Sequence, residues 1–73
     1  MTKIDNDVIE TVGCDRLGID IERAYEGRGY WLILRAYDRS GGLDREVELV
    51  RMRTLRTARR RAEALYEQIT KGW

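Results

Sequence analysis

Leu17, Ile19 and Ile21 alternate with Gly18, Asp20 and Glu22, the period-two pattern of a strand with one buried face, running to about Tyr25. Tyr30-Trp31-Leu32-Ile33-Leu34-Arg35-Ala36-Tyr37 is the strongest strand in the chain. Its even positions carry Leu32, Leu34 and Ala36, and its odd positions carry Trp31, Ile33, Arg35 and Tyr37. A strand apolar on both sides belongs near the centre of its sheet. Glu46–Val50 is a further strand whose alternation changes phase between Leu49 and Val50, which predicts a bulge or twist near its end. Val8, Ile9, Thr11 and Val12 are β-branched and favour a strand. Ile4, Val8, Ile9 and Val12 also fit one face of a short helix capped by Asp5 or Asn6, so this segment stays open between the two, with strand preferred.

Glycine punctuates these stretches. Glu26-Gly27-Arg28-Gly29 reads as a hairpin loop, and Asp38-Arg39-Ser40-Gly41-Gly42 supplies the chemistry of a second reversal. The period then changes. Leu55, Ala58, Ala62, Leu65 and Ile69 form one continuous helical stripe, with Thr54 as the natural N-cap and Gly72 suited to the position past the end. The two alanines allow close approach to the sheet, opposite Leu32 and Leu34. The predicted fold is α+β: a small antiparallel meander of three or four strands followed by one C-terminal helix packed on one face, β-β-β-α. The 73 residues form a single domain, with residues 1–16 of uncertain structure, the meander over 17–53 and the helix over 54–71.

Charge divides the chain in two. Residues 1–26 carry three basic and seven acidic side chains, whereas residues 27–73 carry eleven basic and six acidic, so the formal net charge of +1 conceals an acidic and a basic half. The basic half peaks where Arg51, Arg53, Arg56, Arg59, Arg60 and Arg61 follow one another with no intervening acid. A helix N-terminus carries about half a positive charge, so arginines in its first turns cost stability unless an anion binds there. The structural alternative is that these arginines enter solvent or pair with Asp44, Glu46 or Glu48.

Candidate chemistry is sparse. With no His, one Ser and one Cys, the chain lacks the partners for His-assisted nucleophiles, His-based acid–base work or His-containing zinc sites, and an enzyme is not expected. No cofactor is expected. Cys14 reads as a small buried hydrophobe in preference to a reactive thiol. Asp5, Asp7 and Glu10 read as acids of an N-terminal first turn or a strand edge before a metal site, because they lack the oxygen-ligand loop that calcium requires. The longest apolar run, Tyr30–Leu34, is far too short to span a membrane, and the lone cysteine fits a reducing cytoplasm.

Two features remain for function: the basic strand–helix junction, with Arg45, Arg51, Arg53, Arg56, Arg59 and Arg60, and the odd face of the central strand, with Trp31, Arg35 and Tyr37. Aromatic area beside a forked donor makes a binding surface. That face is equally open to being covered by residues 1–13 or paired with a second copy, and the two faces could be reversed.

From Gly29 to Lys71 the order Trp31, Arg35, Asp38, Gly41-Gly42, Arg45, Met52, Thr54 and Ala58 resembles the arm-type DNA-binding domains of tyrosine recombinases, whose layout plant ethylene-response-factor domains share. The resemblance implies a three-stranded sheet plus helix whose sheet face enters the major groove through Trp31, Arg35 and Tyr37. The expected function is therefore a small non-catalytic nucleic-acid-binding protein, encoded by a phage or mobile element and favouring duplex. The alternative is a phage-encoded inhibitor or adaptor of anti-CRISPR type, acting on a protein or nucleoprotein complex, with a homodimer through the aromatic face a further expectation.

Overall fold

In the computed structural model, which describes residues 8–14, 16–24 and 29–71, these patterns become β1 (Val8–Gly13), β2 (Leu17–Arg23), β3 (Tyr30–Tyr37), β4 (Leu43–Met52) and α1 (Leu55–Lys71). The strands pair in chain order, each antiparallel to the next, and α1 packs across one face of the resulting sheet. The expected α+β architecture is the one observed, with four strands. Central placement of β3 follows from its two apolar faces.

The segment open between strand and helix is β1. Pairing settles it, because Val12 opposite Ile19 brings its apolar side chain to the core that α1 covers. A position at the sheet edge also means that residues 8–13 extend the sheet and do not fold over it, contrary to the expected cover. The remainder of that cover, residues 1–7, lies outside the described residues, as do Gly72 and most of the first hairpin loop. At the base of that loop the Ala24 N–H donates to the Gly29 carbonyl at 3.0 Å.

β4 is longer than expected and carries the bulge its phase change announces. Leu32 pairs with Val50 and Ile33 with Glu48, so Leu49 is the extra residue. The bulge keeps Val50 and Met52 turned to α1 while Glu46 and Glu48 occupy the opposite face with Ile33 and Arg35. The turn before β4 is built on Asp38, whose Oδ1 accepts from Ser40 N–H (3.0 Å), Ser40 Oγ (2.7 Å) and Gly42 N–H (2.8 Å). These donors, the Ser40 hydroxyl first, hold the Asp38 carboxyl below its ordinary value.

Ile19, Ile21 and Leu32 are fully buried beneath Ala58 and Ala62, also fully buried. Two methyl-sized side chains on successive helical turns let α1 sit close to the sheet, while Leu55, Leu65, Tyr66 and Ile69 pack around them. α1 starts where the hydroxyl pattern placed it: the Thr54 Oγ1 accepts from the Thr57 N–H at 3.2 Å, and the Thr54 carbonyl takes the Ala58 N–H at 2.9 Å. Thr54→Ala is expected to lower unfolding free energy by about 1 kcal/mol, read from urea denaturation with an unchanged slope.

Candidate nucleic-acid interface

The nine residues expected to form one interface divide between the two layers. Trp31, Arg35 and Tyr37 share the sheet face turned away from α1, as expected for the odd face of the central strand. Arg51 lies opposite Trp31 on that face, its guanidinium 5.7 Å from the indole centroid. Arg45 pairs with Ala36 and so belongs to the other side of β4. Arg53 follows β4, and Arg56, Arg59 and Arg60 are exposed on α1.

Arg35 is not a free donor. It is half-buried at the centre of a carboxylate array drawn from both neighbouring strands. Its Nη1 donates to Asp20 Oδ2 at 2.6 Å, and its Nε and Nη2 both approach Glu46 Oε2 at 2.7 Å. Nη1 also touches Glu22 Oε2, but off the direction of the N–H, so this contact is one of charge without a hydrogen bond. The Thr11 hydroxyl donates to the other Asp20 oxygen at 2.7 Å. Burial acts to lower the pKa of Arg35; the hydrogen bonds to Asp20 and Glu46 and the close negative charge of Glu22 outweigh it and raise the value above that of an ordinary arginine. A base edge or phosphate reaching Arg35 would have to displace carboxylates that already satisfy its fork.

The same register assembles an acidic surface. Asp20 stands opposite Ile33, Glu22 opposite Trp31, Glu46 opposite Arg35 and Glu48 opposite Ile33. Asp20 and Glu22 are buried, although nothing in their residue type announces it. Spacing along the chain could have placed both on the polar side of β2; only strand pairing brings that side against the odd face of β3.

The helix layer is the basic one. α1 has no acid in its first turn, and Arg53, Arg56, Arg60 and Arg61 make no ion pair with another described residue. Arg59 does: its Nε donates to Glu10 Oε1 at 2.7 Å, so its partner comes from β1 and not from the β4 acids named in the structural alternative. With one side chain about half exposed and the other more than a third exposed, this pair is worth little in water. Arg61, absent from the expected set, joins Arg60 beside a groove of about 300 Å³ whose other walls are Met52, Thr57 and Ala64.

Other candidates resolve as follows. Cys14 is exposed, contrary to the buried reading, and its sulfur accepts from the Tyr66 hydroxyl at 3.8 Å. That contact raises the pKa of Tyr66. Glu10 is committed to Arg59, and Asp5 and Asp7 lie outside the described residues. Among the described residues no group of three His, Cys, Asp or Glu is arranged to hold a metal ion, and no helix is long and apolar enough to cross a membrane.

β4 is an exposed edge, yet its charges oppose pairing with a second copy. Antiparallel self-registers centred on residues 44, 45, 46 and 48 set Asp44, Arg45, Glu46 and Glu48 respectively against themselves, and the register centred on 47 sets Glu46 against Glu48. Like charges directly opposite destabilise a strand pair, which protects this edge. No protein family, curated protein or solved structure matches this chain.

Proposed function

We propose that this chain is a non-catalytic nucleic-acid-binding protein of the cytoplasm that holds the phosphate backbone on its helix layer, through Arg53, Arg56, Arg60 and Arg61. One observation carries the reading: Arg53, Arg56, Arg60 and Arg61, unlike Arg59, have no ion-pair partner among the described residues, and the first turn of α1 holds no acid. Cations at that end of a helix work against its dipole, and a bound phosphate reverses the sign by meeting both the guanidinium groups and the helix N-terminus. The acidic sheet face then points away from the polyanion. This orientation differs from the one the recombinase resemblance implies, because Arg35 is held by carboxylates.

Fluorescence anisotropy with a labelled duplex tests it. Contacts from four arginines give a slope of about −3.6 in log affinity against log salt, on the order of a hundredfold between 50 and 200 mM. The double variant Arg56→Gln/Arg60→Gln is expected to flatten that slope by about 1.8 while leaving the thermal midpoint nearly unchanged. Absence of binding to duplex and to single strand at about 50 mM salt would exclude the proposal.

A further inference from the structure

Arg59 reaches Glu10 of β1, so the opposite flank of α1, with Thr57, Arg61 and Ala64 at spacings of four and three, turns toward β4. Met52 meets it there: it pairs with Tyr30 on the side of the sheet that α1 covers and packs half-buried against the core. Because β4 is an edge strand, the space between the two opens at the margin of the sheet. The result is a shallow groove of about 300 Å³ walled by Met52, Thr57 and Ala64, with Arg60 and Arg61 beside them. Ala64 is exposed, outside the core that Ala58 and Ala62 enter, and its methyl leaves room that a longer side chain would fill.

Two kinds of chemistry meet in this groove. Its apolar wall is the Met52 thioether and the Ala64 methyl. The Thr57 hydroxyl is turned to the helix start, where it donates to the Thr54 carbonyl at 3.0 Å. Positive charge comes from Arg60 and Arg61, neither of which makes an ion pair with a described residue. A planar group with apolar faces and an attached negative charge fits both parts. Its ring rests on the methionine sulfur or on a guanidinium plane, and its charge meets the other arginine. Ligand sites run from about 300 to 1,000 Å³, so the room here is for one ring system and not for a strand or helix. Nucleic acid offers such a group only where a base is unpaired, because the bases of a duplex cover one another's faces.

We infer that this groove receives one unpaired nucleobase, stacked on Met52 with its neighbouring phosphates on Arg60 and Arg61. The inference rests on the reading of the helix layer as a phosphate site and deepens it, since it names a nucleic acid with an unpaired nucleotide at the edge of β4. Phosphate contacts alone hold any strand, whereas a base in the groove adds affinity that charge does not supply.

The test compares two labelled oligomers of equal length and charge by fluorescence anisotropy with the intact chain. One is a single-stranded oligothymidylate of about 10 nucleotides, the other its abasic analogue, both at about 50 mM salt. Oligothymidylate is expected to bind about five- to tenfold more tightly, the lower part of the range for one stacked base, with the same salt slope for both. It should also move the Met52 methyl resonance upfield, the ring-current signature of a stacked base, and the abasic oligomer should not. Ala64→Leu changes an exposed position, keeps the charge and fills the groove. With an unchanged far-ultraviolet spectrum to verify the fold, it should erase the preference for thymidylate and leave the abasic affinity unaltered. Equal affinity of the two oligomers, or a preference that survives Ala64→Leu, would overturn the base site while leaving the phosphate reading in place. Failure of both oligomers and of duplex to bind would overturn the two together. If phosphatidylglycerol vesicles shifted the Met52 methyl and thymidylate did not, the groove would be a lipid site and the inference would fall.

Discussion

Replacing Arg35 with Gln is expected to cost about 3–5 kcal/mol, because it leaves Asp20 and Glu22 buried as unpaired charges. A chain of 73 residues has only about 4–11 kcal/mol of stability in total, so the variant sits close to unfolding. Its thermal midpoint should fall by about 12 °C or more. Adding Asp20→Asn and Glu22→Gln to Arg35→Gln should restore much of the loss at pH 7. Circular dichroism melts measure both the loss and its recovery. An Arg35→Gln protein as stable as its parent at neutral pH would show that the array does not hold the sheet face together.

The second large effect is expected at Gly29. Its φ of +113° lies where side-chain-bearing residues are rare, and a Cβ there would stand 2.4 Å from the Met52 carbonyl oxygen. That oxygen is backbone, so no rotamer change removes the clash. The start of β3 would have to separate from the end of β4, where Tyr30 pairs with Met52 immediately before α1. Strain and overpacking together put Gly29→Ala at roughly 2–5 kcal/mol. Gly41 is the internal control. Its φ is +91°, but a Cβ would meet nothing within 4 Å, so Gly41→Ala carries the conformational cost alone, about 1–2 kcal/mol. Urea denaturation of both variants separates the clash from the dihedral. Equal losses would mean that the approach of Met52 is not what selects glycine at residue 29.

The arginine array changes what the residues of β3 imply about function. Trp31, Arg35 and Tyr37 on one side of a strand look like a ready binding surface when β3 is considered alone. Strand pairing changes the meaning of Arg35, since Asp20 and Glu22 from β2 and Glu46 from β4 converge on it. The same array gives the face its acidic excess, which moves the proposed phosphate contacts to the helix.

What the chain determines by itself is local and periodic. The alternation in β2 and β3, the phase change that becomes the bulge at Leu49, the Asp38 turn and the Thr54 cap are each written in a few consecutive residues. The stripe through Ala58 and Ala62 is of the same kind, and short connections leave a meander as the natural order of such elements. The choice between strand and helix for Val8–Gly13 needed a partner, because β-branched residues fit either pattern until β2 offers its hydrogen-bonding edge. The fate of every charge also depended on partners. Glu10 reaches Arg59 across 49 positions of sequence, and Arg35 reaches Asp20 across 15. Periodicity assigns a side chain to a face, but ion pairing and desolvation depend on distances between strands, and only the folded register sets those.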